Sequence, residues 1–276
     1  MIRTLHPELL DTLPAHDVGA IHSRRDLRRL NTLMGHAPIF ARTLQELFPQ
    51  LPPTNILEIG AGDGQLLLNV ACRLDRWIQS QGNQPPKSST QFLPLPQGEG
   101  RGEGEESVVT ATTSVHQARP TSLSPRVNVL FIDLQNLLHE ETKSQFAALN
   151  WHVRSVESDI FHWLKTSTLK SDVILANLVL HHFTDSQLTL LFSEIAKRAD
   201  AFIAVEPRRS RWPLFCTRLL GLIGCNAVTR HDAPVSVRAG FNGRELSALW
   251  PHNNEWELTE QRAGWFSHQF VARRRA

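Results

Sequence analysis

Ile56-Leu57-Glu58-Ile59-Gly60-Ala61-Gly62-Asp63-Gly64-Gln65 is the stretch that decides the fold. A short apolar run ends in an acid and three alternate glycines, then passes into helically spaced residues, so it reads as a buried strand turning sharply into a helix. Glycines in such a turn permit tight backbone and close approach of a ligand. A dinucleotide fingerprint needs its third glycine three places after the second, at position 65, which here is Gln. That spacing disfavours NAD or FAD.

Outward from this turn the chain alternates short apolar runs with helical stretches, the texture of a parallel sheet covered on both faces. Strands are predicted at about 55–60, 127–133, 152–156, 171–177 and 200–206. Thr184-Asp185-Ser186-Gln187 forms a capping box that opens a helix over 184–198, with Phe183 and Leu188 as its staple. An apolar stretch from Trp212 to Cys225, a polar loop and a helix near 241–250 follow. Two last strands, 255–262 and 266–273, join around Ala263-Gly264 as an antiparallel hairpin. Before residue 54, Leu27, Leu30 and Leu33, then Ile39, Phe40, Leu44 and Leu47, fall at helical spacing.

Residues 80–126 break the pattern. They hold six of the sixteen prolines and the run Gly98-Glu99-Gly100-Arg101-Gly102-Glu103-Gly104, a composition that cannot bury a core. They read as a low-complexity, disordered insert and flexible linker, and QFLPLPQGEGRGEGEE resembles translated repetitive DNA. The expected organisation is an N-terminal helical cap over 1–53 and one α/β domain over 54–276 interrupted by that insert.

Composition removes several chemistries. The 276 residues include no Tyr, and the five lysines (Lys87, Lys143, Lys165, Lys170, Lys197) never follow a glycine. A Tyr base, a Tyr-Lys dehydrogenase and a P-loop NTPase are thereby excluded. The odd set Cys72, Cys216 and Cys225 forms no CxxC, so neither a disulfide framework nor a zinc knuckle is expected, and no metal. Charged residues nearly balance at +2. The arginine clusters at 24–25, 28–29, 208–211 and 273–275 therefore read as solvated faces, and no nucleic-acid partner is expected. The N-terminus lacks a signal-peptide apolar core and no run is long enough to span a membrane, so a cytoplasmic protein is expected.

The turn at 58–64 resembles motif I of class I S-adenosylmethionine (SAM)-dependent methyltransferases. The resemblance covers about 55–273 apart from the insert. It implies a Rossmann-like seven-stranded sheet, six strands parallel and the last antiparallel, and SAM as cofactor. Glu58, Gly60, Ala61, Gly62, Asp63 and Gly64 match the motif. The family places a ribose-binding acid after the second strand, and Asp133, followed by Leu134, fits. Asp133 lies 69 residues beyond Gly64, but setting aside the 47 of the insert leaves 22, close to the roughly 20 of a Rossmann-like unit. Glu157-Ser158-Asp159-Ile160 resembles the adenine-binding segment, with Asp159 accepting from the amine and Ile160 packing on the ring; Asp159 also suits a helix N-cap.

Ala176-Asn177-Leu178-Val179-Leu180-His181-His182-Phe183 resembles the motif IV region of the small-molecule methyltransferases of ubiquinone and menaquinone biosynthesis, beside the transferable methyl. The absence of an Asn-Pro-Pro-aromatic pattern there disfavours a nucleobase amine as acceptor. His181 or His182 is the expected base for a hydroxyl acceptor, with Glu206 as an acidic alternative. Glu206 and Arg208, at the end of the fifth strand, are candidate substrate contacts. Asn226 to Phe241 reads as a substrate lid offering Arg230, His231 and Arg238. The resemblance implies methyl transfer to a small organic acceptor, more on oxygen than on carbon or nitrogen, such as a phenolic, quinone or polyketide-like compound. An RNA or protein methyltransferase and a non-catalytic SAM-binding subunit are the alternatives, and oligomeric state is not legible.

Overall fold

The computed structural model describes residues 1–82, 126–251 and 254–275. The chain begins with α1 (Leu9–Thr12), α2 (Val18–Leu33) and α3 (His36–Leu47), followed by β1 (Asn55–Ile59), α4 (Gln65–Gly82) and β2 (Val127–Asp133). Then come α5 (Glu140–Ala148), β3 (Trp151–Glu157), α6 (Ile160–Thr166), β4 (Ser171–Asn177), a 3-10 turn at Leu180–His182 and α7 (Asp185–Arg198). The last part holds β5 (Ala199–Pro207), α8 (Arg211–Thr217), a 3-10 turn at Leu220–Ile223, α9 (Ala227–Ala239), α10 (Glu245–Leu249), β6 (Trp256–Ala263) and β7 (Ser267–Arg274).

The strands form one sheet in the order β3-β2-β1-β4-β5-β7-β6. β1 pairs in parallel with β2 and β4, and β4 with β5, whereas β7 runs antiparallel to both β5 and β6. Six strands therefore share a direction and the last opposes them, as the resemblance implied. β1 lies between β2 and β4 with Ile56, Leu57 and Ile59 all buried, as expected of a parallel strand covered on both faces. On one face Phe40 and Leu44 of α3 join Leu67 and Leu74 of α4 and Phe146 of α5 over the sheet. On the other, Leu188 and Phe192 of α7 pack with Phe202, Trp250 and Phe270. On the first of these faces α3 packs against α4 and against β5.

The Thr184–Gln187 capping box forms, with Gln187 N–H donating to Thr184 and Thr184 N–H donating to Gln187. The terminal hairpin turns at Gly264, whose φ is +73°. Two boundaries differ from expectation. Residues 80–82 belong to α4, so a helix enters the start of the predicted insert; residues 83–125 of that insert lie outside the described residues. The predicted polar loop after Cys225 is largely helix α9, which Asn226 caps by accepting from Thr229 N–H at 2.8 Å. Pro234 inside α9 signals a break, yet its missing N–H costs one intrahelical bond only, and burial of Thr229, Asp232 and Val237 keeps the helix intact.

Candidate active site

The carboxyl ends of β1, β2 and β4 open into a cavity of about 860 Å³. Gly60, Gly62 and Gly64 line up after β1 with φ of +68°, +56° and +73°, a left-handed conformation that side chains resist. At Gly60 a Cβ would sit 2.8 Å from a methyl of Val179, so the turn after β1 can lie against the turn after β4 only without a side chain. At Gly62 a Cβ would meet nothing within 4 Å, which leaves that backbone open to the cavity it lines.

Asp133 braces this turn from β2. Its Oδ2 accepts from Gly62 N–H at 2.8 Å and its Oδ1 from Gln135 N–H at 3.0 Å. Burial raises its pKa, against the backbone hydrogen bonds and Arg24, which lower it. Glu58 is fully enclosed, and burial, then the charges of Asp133 and Asp63, push its carboxyl well above the ordinary range. Its Oε2 has no hydrogen-bond partner, and neither has Oδ1 of Asn177 at the end of β4. Both residues line the cavity. Two buried acceptors without donors, beside open glycine backbone, fit a ligand that carries a cationic amine and polar hydroxyls. Asp63 is held apart by an ion pair with Arg28 at 2.8 Å. Asp159 caps α6 by accepting through Oδ1 from Phe161 and His162 N–H, and it lines the cavity with buried Ile160 and exposed Leu134.

At the end of β4 the backbone is strained: Leu178, a non-glycine residue, has φ of +52°. The following turn is held by Glu206, whose carboxylate accepts from the N–H groups of Val179 at 3.0 Å, Leu180 at 2.9 Å and His181 at 3.3 Å. The same carboxylate lies 2.8 Å from Nδ1 of His181. Nε2 of His181 faces Glu8 at 3.3 Å. Burial lowers the pKa of His181, but hydrogen bonds and charges from Glu206 and Glu8 outweigh it and hold the group at about 9. His181 is thus an imidazolium at neutral pH, with both ring N–H groups donating. The ring of His182 lies 4.2 Å from it, tilted by 35°, and its Nδ1 lies 3.2 Å from Asp11.

No family model matches the chain, and no curated protein matches it in sequence. Among solved structures, the plantazolicin methyltransferase BpumL in complex with a monoazolic desmethylPZN analog and SAH is 15% identical, with 94% of this chain and 91% of that one covered and a TM-score of 0.53. The plantazolicin methyltransferase BamL, in complex with a triazolic desmethylPZN analog and SAH, is 11% identical over 95% and 92%, also at 0.53. The chain has the class I methyltransferase fold.

Within this methyltransferase fold the sequence-predicted residues fall in two groups. Glu58, Gly60, Ala61, Gly62, Asp63, Asp133, Leu134, Asp159, Ile160, Asn177, Leu178, His181 and His182 all line this cavity. Gly64 does not; a Cβ there would press on Phe131 and Leu138 at 3.1–3.3 Å, so it serves packing beneath the turn. Glu206 and Arg208 also stand outside the lining. Glu206 is wholly buried and spends its oxygens on backbone and His181, which corrects the expectation of a substrate contact. Arg208 is drawn away by its backbone, which pairs with Phe266 and bridges to Phe241. The lid candidates Arg230, His231 and Arg238 are exposed, because α9 turns them outward and turns Ala233, Ser236 and Val237 in.

Sequence reading missed Glu8 and Asp11. They reach the cavity because the first residues lie across α9: Leu9 and Leu10 N–H donate to Asp232, and Arg3 donates to the carbonyls of Ala239 and Phe183. Ser236 donates to Glu8. The one clue lay in the composition of His6-Pro7-Glu8-Leu9-Leu10-Asp11, two acids flanking an apolar pair, and its partners are over 170 residues away.

Proposed function

We propose that the chain is a SAM-dependent methyltransferase that methylates a hydroxyl of a small organic acceptor. The observation that supports this most is the composition of the cavity at the carboxyl ends of β1, β2 and β4. One end gathers the open glycine turn, Asp133, Asp159 and the unpartnered oxygens of Glu58 and Asn177. The other is walled by apolar groups such as Leu30, Met34, Pro213, Leu220 and Val237. The volume stands near the top of the roughly 300–1,000 Å³ of small-ligand sites, which suits a cofactor and an acceptor together.

In this reading Glu58 accepts from the cofactor's amine, Asp133 from its ribose hydroxyls, and Asp159 from its adenine, with Ile160 against the ring. When bound, SAM supplies an electrophilic methyl on a sulfonium sulfur. The chain's part is to hold the acceptor oxygen in line with that methyl, and positioning of this kind contributes on the order of 7–11 kcal/mol. The turn at Leu178–His182, locked by Glu206, forms the seat for that oxygen. His181 spends both ring N–H groups on Glu206 and Glu8, so its task is to fix the turn. His182, oriented through Nδ1 by Asp11, takes the hydroxyl proton, as its ring lines the cavity. A phenolic, quinone or polyketide-like acceptor matches the apolar wall.

The experiment is transfer of labelled methyl from SAM to a panel of phenols, hydroquinones and polyketide-like hydroxy compounds. Label in at least one hydroxyl acceptor, reduced roughly 10²-fold or more by His182→Ala, supports the reading. Label appearing only in added RNA or protein would overturn it.

A further inference from the structure

The outer side of the acceptor wall is more apolar than a solvated surface requires. Trp212 and Phe215 of α8 stack on each other, and Trp265 in the β6–β7 turn lies 6.1 Å from Trp212. Leu222 in the neighbouring 3-10 turn is 84% exposed and Trp265 67%. Leu219 and Ile223 are also exposed and at the same time line the cavity. The patch is therefore continuous with the cavity mouth, where Leu33 at the end of α2 is exposed as well.

The chain segment that forms most of this patch carries charge of one sign. Between Pro207 and His231 there are five arginines and no acid. Arg211, Arg218 and Arg262 are exposed, and Arg208 feels the positive charge of Arg262. Among the described residues none of these four forms an ion pair. Like charges left unneutralised beside exposed tryptophans call for an external anionic partner. Aliphatic Leu219, Leu222 and Ile223 have no π-face on which a base could stack, whereas an acyl layer receives them as readily as it does Trp rings. No described helix is long and apolar enough to cross a membrane.

We propose that the face formed by α8, the Leu220–Ile223 turn and the β6–β7 turn docks on an anionic bilayer, placing the cavity mouth against the lipid. Trp212, Phe215, Leu222 and Trp265 enter the headgroup and acyl boundary, while Arg211, Arg218 and Arg262 meet lipid phosphates. The cavity then takes its acceptor from the membrane, which narrows the acceptor to amphiphiles with an apolar tail. This last step rests on the reading of the cavity as a methyl-acceptor site; the docking does not, and it is measured without cofactor.

The test is flotation of the full chain with vesicles of phosphatidylglycerol and phosphatidylcholine in equal parts, against phosphatidylcholine alone, at low and high salt. Expected are flotation with the anionic vesicles, loss of it in high salt, and a blue shift of Trp fluorescence. Leu222→Asp combined with Trp265→Ser is expected to lower partitioning by roughly tenfold or more with SAM affinity unchanged, since neither residue lines the cavity. Arg211→Gln with Arg218→Gln is expected to lower it by roughly thirtyfold. No flotation with anionic vesicles would overturn the proposal, as would equal flotation of the variants. So would a lipid-free dimer that Leu222→Asp dissociates, or salt-sensitive retention of RNA in place of vesicles. Vesicle binding without any SAM binding would leave the docking standing and remove the methyltransferase reading.

Discussion

Oε2 of Glu206 lies 2.8 Å from Nδ1 of His181 while the same carboxylate accepts from three successive backbone N–H groups. One buried side chain on β5 thus sets both the shape of the turn after β4 and the protonation of the histidine on it. The strained Leu178 is tolerated because this anchor and the bond from its N–H to Val205 O hold the segment.

Removing that anchor leaves a buried cation and three amides without an acceptor. Glu206→Ala is expected to cost about 3–5 kcal/mol of stability in urea denaturation, the range for breaking a buried pair. Glu206→Gln keeps one acceptor oxygen and is expected to lose less stability, but to lower the His181 pKa, readable in the ring-proton resonances.

Stability should also fall on the alkaline side. The folded pKa of His181, about 9, is above the ordinary 6.5, so its contribution is full below pH 6.5 and is lost as pH rises through 9. The magnitude is on the order of 3 kcal/mol. Thermal unfolding from pH 6 to 10 checks this, and His181→Gln should flatten the decline.

His36 acts in the opposite direction. It is buried on α3 with Nε2 against Ser267 Oγ at 2.8 Å, and burial pushes its pKa down to about 4. The unfolded chain binds this proton first, so stability present above pH 6.5 is lost as pH falls towards 4. Denaturant midpoints between pH 7 and 4 should drop for the wild-type chain and drop less for His36→Phe.

The two glycines of the turn should respond unequally to a methyl group. Gly62→Ala meets only the left-handed backbone penalty of about 1–2 kcal/mol, whereas Gly60→Ala adds the clash with Val179. Melting temperatures should rank wild type, Gly62→Ala and Gly60→Ala in falling order; equal losses would mean that the two turns are not in contact.

Much of this was legible in the sequence where the signal is local. The glycine turn, the Thr184 capping box and the alternation of strands need only neighbours in the chain to be read, and setting aside residues 80–126 by composition located Asp133. Residues whose role depends on distant partners were not legible. Glu206 reads as a strand-end acid until the turn it anchors is seen, and Glu8 and Asp11 acquire meaning only when the N-terminal segment lies over α9. The stretch after Cys225 reads as a loop because its polar residues are many, and only the burial of Thr229, Asp232 and Val237 shows it to be a helix.

The central claim is that the cavity at Gly60, Asp133 and Asn177 holds SAM, and titration calorimetry of the full chain with SAM tests it most directly. The account predicts saturable binding at one site per chain, and a loss of roughly tenfold or more in affinity for Asp133→Ala, which leaves ribose hydroxyls and Gly62 N–H without their acceptor. No heat of binding in the wild-type chain, or an undiminished affinity in Asp133→Ala, would contradict it.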